Sequence, residues 1–214
     1  MTEHNFKAMR KAMVESQLRT TAVNDPRVIE AMSAVARERF VPADQAALAY
    51  LDVRAPLSST RALPAPMVVG RLLTELRTRP ADRALVVGAG SGYSAAVLGL
   101  LVAEVVALEE DSGVAAIGQI TGGNIASVSG PLVEGWRLAA PYDIILFDGA
   151  VEQVPEAIVD QLADGGRLAA PLVDRGVVRL SIGRKQGSAF GMTSVVEADC
   201  PHLPGFAPPP GFTF

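Results

Sequence analysis

From about residue 80 onward the apolar positions of this chain alternate between two spacings. Short runs rich in apolar residues read as strands at Ala84–Val87, Glu104–Leu108, Ile125–Val128, Asp143–Phe147, Arg167–Pro171, Val177–Ile182 and Thr193–Glu197. Between them the spacing turns helical at Tyr93–Leu101, Val114–Gln119 and Pro155–Leu162. This alternation predicts an α/β fold, a seven-stranded, mostly parallel sheet with helices on both faces. No helical stretch separates the last two runs, so they are expected to pair antiparallel across Gly183–Gly191. Gly165-Gly166 reads as a turn ahead of the fifth strand.

The first 80 residues predict N-terminal helices. Asn5–Arg19 carries Phe6, Met9, Met13 and Leu18 at helical spacing. Val28–Phe40 reads as a second helix, with Pro26 placed at its first turn. Val41–Thr60 is irregular, and Met67–Arg77 is helical through Val68, Leu72, Leu73 and Leu76. The tail after Asp199 has five prolines and should be extended, with its phenylalanines packed on the body. One domain over 1–214 is expected, with N-terminal helices in 1–80, an α/β core over 81–198 and an extended tail over 199–214.

The run Ala84–Val87 breaks into Gly88, Gly90 and Gly92 before the helix that starts near Tyr93. Strand, glycine turn, helix lets bare backbone approach a nucleotide-like ligand, because a Cβ there would block contact or forbid φ > 0. Glu109 ends the next strand about 20 residues past Gly88, where such folds place an acid for ribose hydroxyls. The candidate cofactor residues are Gly88, Ala89, Gly90, Ser91, Gly92, Tyr93 and Glu109. Counted from Gly88 the spacing is G-x-G-x-G, which suits S-adenosylmethionine (SAM). Counted from Gly90, GSGYSA also fits the dinucleotide form, so a nicotinamide enzyme stays open.

Composition narrows the classes. The chain has 214 residues, 49% hydrophobic and 20% charged, so it folds around a core. No apolar run reaches the roughly 18 residues of a membrane span. The opening residues are charged without an apolar region, so no export signal and a cytoplasmic setting are expected. A net charge of −4 and no basic cluster argue against nucleic acid as a partner. His4 and His202 lie near the ends without metal-ligand spacing, and Cys200 is the single cysteine, so neither a metal site nor an internal disulfide is expected.

With these residues in place the chain resembles the protein-L-isoaspartate O-methyltransferase family, from Met13 to about Leu180. The likeness rests on the opening MVESQLRTTAVNDPRVIEAMSAVARERFVP, on Ala49-Tyr50-Leu51-Asp52, and on the glycine turn with Tyr93. Gly135-Trp136, Ala140-Pro141-Tyr142-Asp143 and Gly165-Gly166-Arg167-Leu168 follow in family order. The resemblance implies a Rossmann-like class I SAM-dependent methyltransferase fold, SAM as cofactor, Gly130 beside it, and an isoaspartyl protein or peptide as methyl acceptor.

Departures fall where chemistry is expected. The family's Thr-Ile-Ser element reads Ala62, Leu63 and Pro64 here, so both hydroxyls are gone and Pro64 takes the serine position. Val86 stands for an acid in the first strand, and Gly130-Pro131-Leu132 for Gly-Asp-Gly. The stretch from Glu109 to Asn124 is about one helical turn short for the family. Asp148 is an acid the family usually lacks, expected at a strand's carboxyl end as a catalytic group that orients an acceptor, acts as a base or ligates a metal, or as a solvated turn residue. The acceptor mouth is expected at Leu57–Pro66 with the loops after Phe147. An acceptor carboxylate, pKa about 4, is ionised at neutral pH and needs orientation rather than a base. Loss of a positioning hydroxyl therefore predicts an inefficient enzyme, a catalytically silent SAM-binding or partner-binding relative, or an O-methyltransferase for another acceptor.

Overall fold

The computed structural model describes residues 3–118, 120 and 122–207. Gln119, expected to end a helix, and the tail phenylalanines Phe212 and Phe214 lie outside them. The helices are α1 Glu3–Met13, α2 Pro26–Ala34, α3 Pro66–Leu76, α4 Tyr93–Gly99, α5 Ser112–Ala115 and α6 Glu156–Val159. The strands are β1 Ala55–Pro56, β2 Ala62–Leu63, β3 Arg83–Val87, β4 Glu104–Glu109, β5 Ile125–Ser129, β6 Tyr142–Phe147, β7 Leu162–Asp174, β8 Val177–Gln186 and β9 Ala189–Glu197. β1 and β2 form a small hairpin, and the other seven form one sheet in the order β5-β4-β3-β6-β7-β8-β9.

β5, β4, β3, β6 and β7 pair in parallel, while β8 runs antiparallel to both β7 and β9. β3 and β6 lie in the middle of the sheet, which explains their unbroken apolar runs. Alternate residues serve opposite faces. Val86, Ile144 and Leu146 join the core under α2, α3 and α4, whereas Leu85, Val87, Ile145 and Phe147 join the core on the other side. Phe206 of the tail is buried there, edge-on to Phe147 at 5.5 Å, so the expected packing of the tail on the body holds as far as Ala207.

Buried charge ties helix to sheet. Arg167 of β7 pairs with Asp82 at 2.8 Å and donates to the carbonyls of Arg77 and Leu76, the last turn of α3. Asp25 caps α2 by accepting from the Arg27 amide, with Pro26 at the first turn as its fixed φ favours.

Three expectations change. The helix read over Val28–Phe40 stops at Ala34: Val35 is extended, and Arg37–Phe40 forms a separate 3-10 turn around a buried Arg37. The helix from the N-terminus continues past α1, but Val14–Leu18 widens into a π turn. Gly165-Gly166 is not a turn before the strand but an irregularity inside β7, where the register against β6 shifts and Gly165 takes φ +73°. Tertiary pairing carries the strand through the glycines.

Candidate active site

β3 ends in the predicted turn. Gly88, Gly90 and Gly92 have φ of +71°, +59° and +94°, conformations a side chain rarely adopts. The Ala89 amide reaches the Leu108 carbonyl at 2.9 Å, which hooks the turn to β4. Ser91 and Tyr93 are buried; Ser91 donates to the Phe40 carbonyl, and Tyr93 packs edge-on against Phe40 at 5.8 Å. Both secure the turn to the N-terminal segment. Gly130 sits past β5 beside Trp136, whose ring a Cβ on Gly130 would meet at 3.3 Å.

Glu109, at the end of β4, is 4% exposed and points back at the turn. Its carboxylate accepts from the amides of Gly90 at 2.7 Å, Glu110 at 3.0 Å and Asp111 at 3.1 Å. Arg61, one residue ahead of β2, adds a two-pronged ion pair at 2.9 and 2.8 Å and donates to the Gly88 carbonyl at 3.1 Å. Five N–H groups thus converge on a carboxylate that has about four lone-pair sites.

Side chains also pack against the three glycines. A Cβ on Gly88 would meet Leu203 at 2.5 Å, one on Gly92 would meet Ile120 at 2.5 Å, and one on Gly90 would meet Leu57 at 3.3 Å. Of these neighbours Leu57 belongs to the β1–β2 hairpin, whereas Ile120 follows α5 and Leu203 lies in the tail. Open space lies elsewhere: a cavity of about 810 Å³ runs between α1 and residues 33–39, with Arg10, Glu15 and Arg39 on its walls.

Asp148 follows β6 and is 4% exposed, which overturns the solvated-turn alternative. Ser94 in the first turn of α4 donates to its Oδ1 at 2.6 Å. Burial pushes the Asp148 carboxyl up to about 6 despite the opposing pull of Ser94, Arg37 and Arg61. Arg37 is wholly buried, donating to the carbonyls of Ala49 at 2.8 Å and Pro64 at 2.7 Å, with its guanidinium 4.5 Å from the centre of the Tyr93 ring. Burial lowers its pKa and raises that of Tyr93. Among the described residues, no cluster of three or more His, Cys, Asp or Glu side chains could hold a metal ion.

Of Ala62, Leu63 and Pro64, Leu63 lies beside Gly90, and Leu63 and Pro64 are buried. The segment expected at the mouth and the strand ends are therefore brought together. Sequence reasoning missed Arg61, Arg37 and Leu203. The available signal for Arg61 was its place, a cation between Leu57 and Leu63 and directly ahead of the three departed positions.

Comparison with known proteins agrees with this architecture. Residues 8–199 match the sequence model of the family described as protein-L-isoaspartate(D-aspartate) O-methyltransferase. A protein-L-isoaspartate O-methyltransferase from Koribacter versatilis is 36% identical over 204 residues, covering 93% of this chain and 91% of its own. One from Methylorubrum populi is 40% identical over 172 residues, covering 77% and 80%. Among solved structures, a Plasmodium falciparum protein assigned to the same enzymes and bound to S-adenosyl-L-homocysteine (SAH) superposes with a TM-score of 0.78. It is 19% identical, over 91% of this chain and 97% of that one, so it speaks for the fold. The family's methyl donor is SAM. In sequence and in fold, this chain belongs to the protein-L-isoaspartate O-methyltransferase family.

Proposed function

We propose that this protein is a SAM-dependent O-methyltransferase acting on the isoaspartyl carboxylate of proteins or peptides, and that it is a slow one. The observation that carries the reading is the family match over 8–199 joined to a glycine turn with Glu109 aimed at it. SAM supplies an activated methyl group; the protein's part is to hold donor and acceptor in line and exclude water.

The acceptor carboxylate arrives ionised, so the chain has to orient it. That task falls to the β1–β2 hairpin and the residues after it. Ala62 and Pro64 offer no hydroxyl there, and Pro64 no amide hydrogen either. A missing oxyanion-type donor commonly costs about 10²–10³ in rate, which sets the scale of the slowness. Asp148 acts through Ser94 as a positioning group, because its buried carboxyl touches α4 rather than the outside. Cys200 is a buried free thiol, compatible with the cytoplasm as the compartment.

The test is labelled-methyl transfer to a peptide containing isoaspartate, against the same peptide with ordinary aspartate. Slow transfer to the first alone is expected. A folded protein that transfers to neither would overturn the reading. The second reading, a catalytically silent relative, is favoured by one observation: Arg61 already occupies Glu109. Calorimetry with SAM, SAH and NAD separates it from the first and from a nicotinamide enzyme.

A further inference from the structure

We infer that the β1–β2 hairpin is a latch which closes the cofactor cleft from within, with Arg61 competing for the carboxylate that a nucleoside ribose would use. The inference rests on the methyltransferase reading for the identity of the ligand.

Acceptor capacity comes first. Three backbone amides and two guanidinium N–H groups already exceed the lone pairs of Glu109. The amides are fixed by the turn and by the chain after β4. Two ribose hydroxyls can therefore bind only if Arg61 withdraws.

Arg61 is well held in its place. Its carbonyl accepts from the amides of Leu57 at 2.9 Å and Ser58 at 3.1 Å, and its amide donates to Ser58 Oγ at 3.2 Å. The same hairpin carries Leu57 and Leu63, which cover Gly90. When the guanidinium seats on Glu109, the two leucines seat on the glycine turn. Withdrawal of the hairpin frees Glu109 and uncovers Gly90 at once, while Leu203 and Ile120 stay against Gly88 and Gly92.

The hairpin is built to be removable. It has two residue pairs, Ala55 with Leu63 and Pro56 with Ala62, and Ser58, Ser59 and Thr60 at its tip are exposed. So short a ladder with an exposed tip belongs to the low-stability end of a fold. The planar two-pronged match of guanidinium to carboxylate is what keeps it shut, a match Lys would not reproduce.

The experiment compares wild type with Arg61→Gln and Arg61→Lys. Melting establishes that each is folded, calorimetry measures SAH affinity, and hydrogen exchange follows the Leu57 and Ser58 amides without ligand. For a latch open about 1–10% of the time, Arg61→Gln should bind SAH about ten- to hundredfold more tightly, with Arg61→Lys between. Both amides should exchange faster in the variants. If Arg61→Gln melts too low to titrate, Arg61→Lys and Leu57→Ala carry the same comparison. Unchanged exchange together with unchanged affinity overturns the latch, and methyl transfer by the wild type would leave the methyltransferase reading standing. Faster exchange with no SAH bound by any protein supports the closing contact and overturns the methyltransferase reading instead.

Discussion

Ser94 donates a 2.6 Å hydrogen bond to Asp148 and so fastens the first turn of α4 to the carboxyl end of β6. The acid is buried, and its other oxygen has no partner among the described residues. Burial holds its pKa at about 6, above the ordinary 3.8. A carboxyl whose folded pKa is raised favours folding only while protonated. Its contribution is present below about pH 4, the unfolded value, and is lost as pH rises through 6. Asp148→Asn keeps an acceptor for Ser94 without the charge. Its stability should match wild type near pH 4 and exceed it by about 2–3 kcal/mol at pH 7. Urea unfolding at a series of pH values measures this, and a difference that does not grow with pH would count against the buried-acid account.

The proposed slowness predicts that restoring the hydroxyls absent at Ala62 and Pro64 speeds the reaction. Ala62→Thr with Pro64→Ser restores both groups, and the Pro64 carbonyl that Arg37 uses is retained in serine. Turnover on an isoaspartyl peptide should rise by roughly one to three orders of magnitude, the range of an oxyanion donor. A folded, SAH-binding double variant with no gain would place the limit elsewhere.

Backbone strain and side-chain crowding can be told apart at Gly88. Gly88→Ala meets both a φ of +71° and the Leu203 side chain. The left-handed conformation alone should cost about 1–3 kcal/mol. Leu203→Ala removes the crowding and leaves the φ. A double-mutant cycle by denaturant unfolding should give a favourable coupling of about 1 kcal/mol. Strict additivity would mean that Leu203 does not cover the turn.

Arg37 joins two stretches of chain by donating to the carbonyls of Ala49 and Pro64. Arg37→Met leaves two carbonyls with their donor gone, at about 1–3 kcal/mol each. Arg37→Lys should recover little, since an ammonium lacks the planar fork that reaches both. Thermal melting reads the loss, and proteolysis should find new cleavage around 57–66. Wild-type stability in the Lys variant would refute a geometric role for the guanidinium.

Much of this protein is written locally. Ala84–Val87 of β3 and Ile144–Phe147 of β6 are unbroken apolar runs because both their faces are covered, and such runs declare themselves in any short window. Gly88, Gly90 and Gly92 occupy positive φ because the turn from strand to helix admits nothing larger, so their spacing alone located the turn and, one strand later, Glu109. Family order pointed to the segment Leu57–Pro66, of which Leu57 and Leu63 lie beside that turn.

Other features depended on partners distant in the chain. The helix from Pro26 ends at Ala34 because Arg37 is drawn into the body by carbonyls at Ala49 and Pro64, and no local breaker announces it. Asp148 reads in sequence as a turn acid, and only the packing of α4 and β6 around it makes it a buried one with a raised pKa. Arg61 lies 48 residues from Glu109, so their pairing has no signature in the spacing of either. Residue order sets which backbone shapes are possible at each point, but which charges meet is decided by the fold, because an ion pair depends on distance in space and not along the chain.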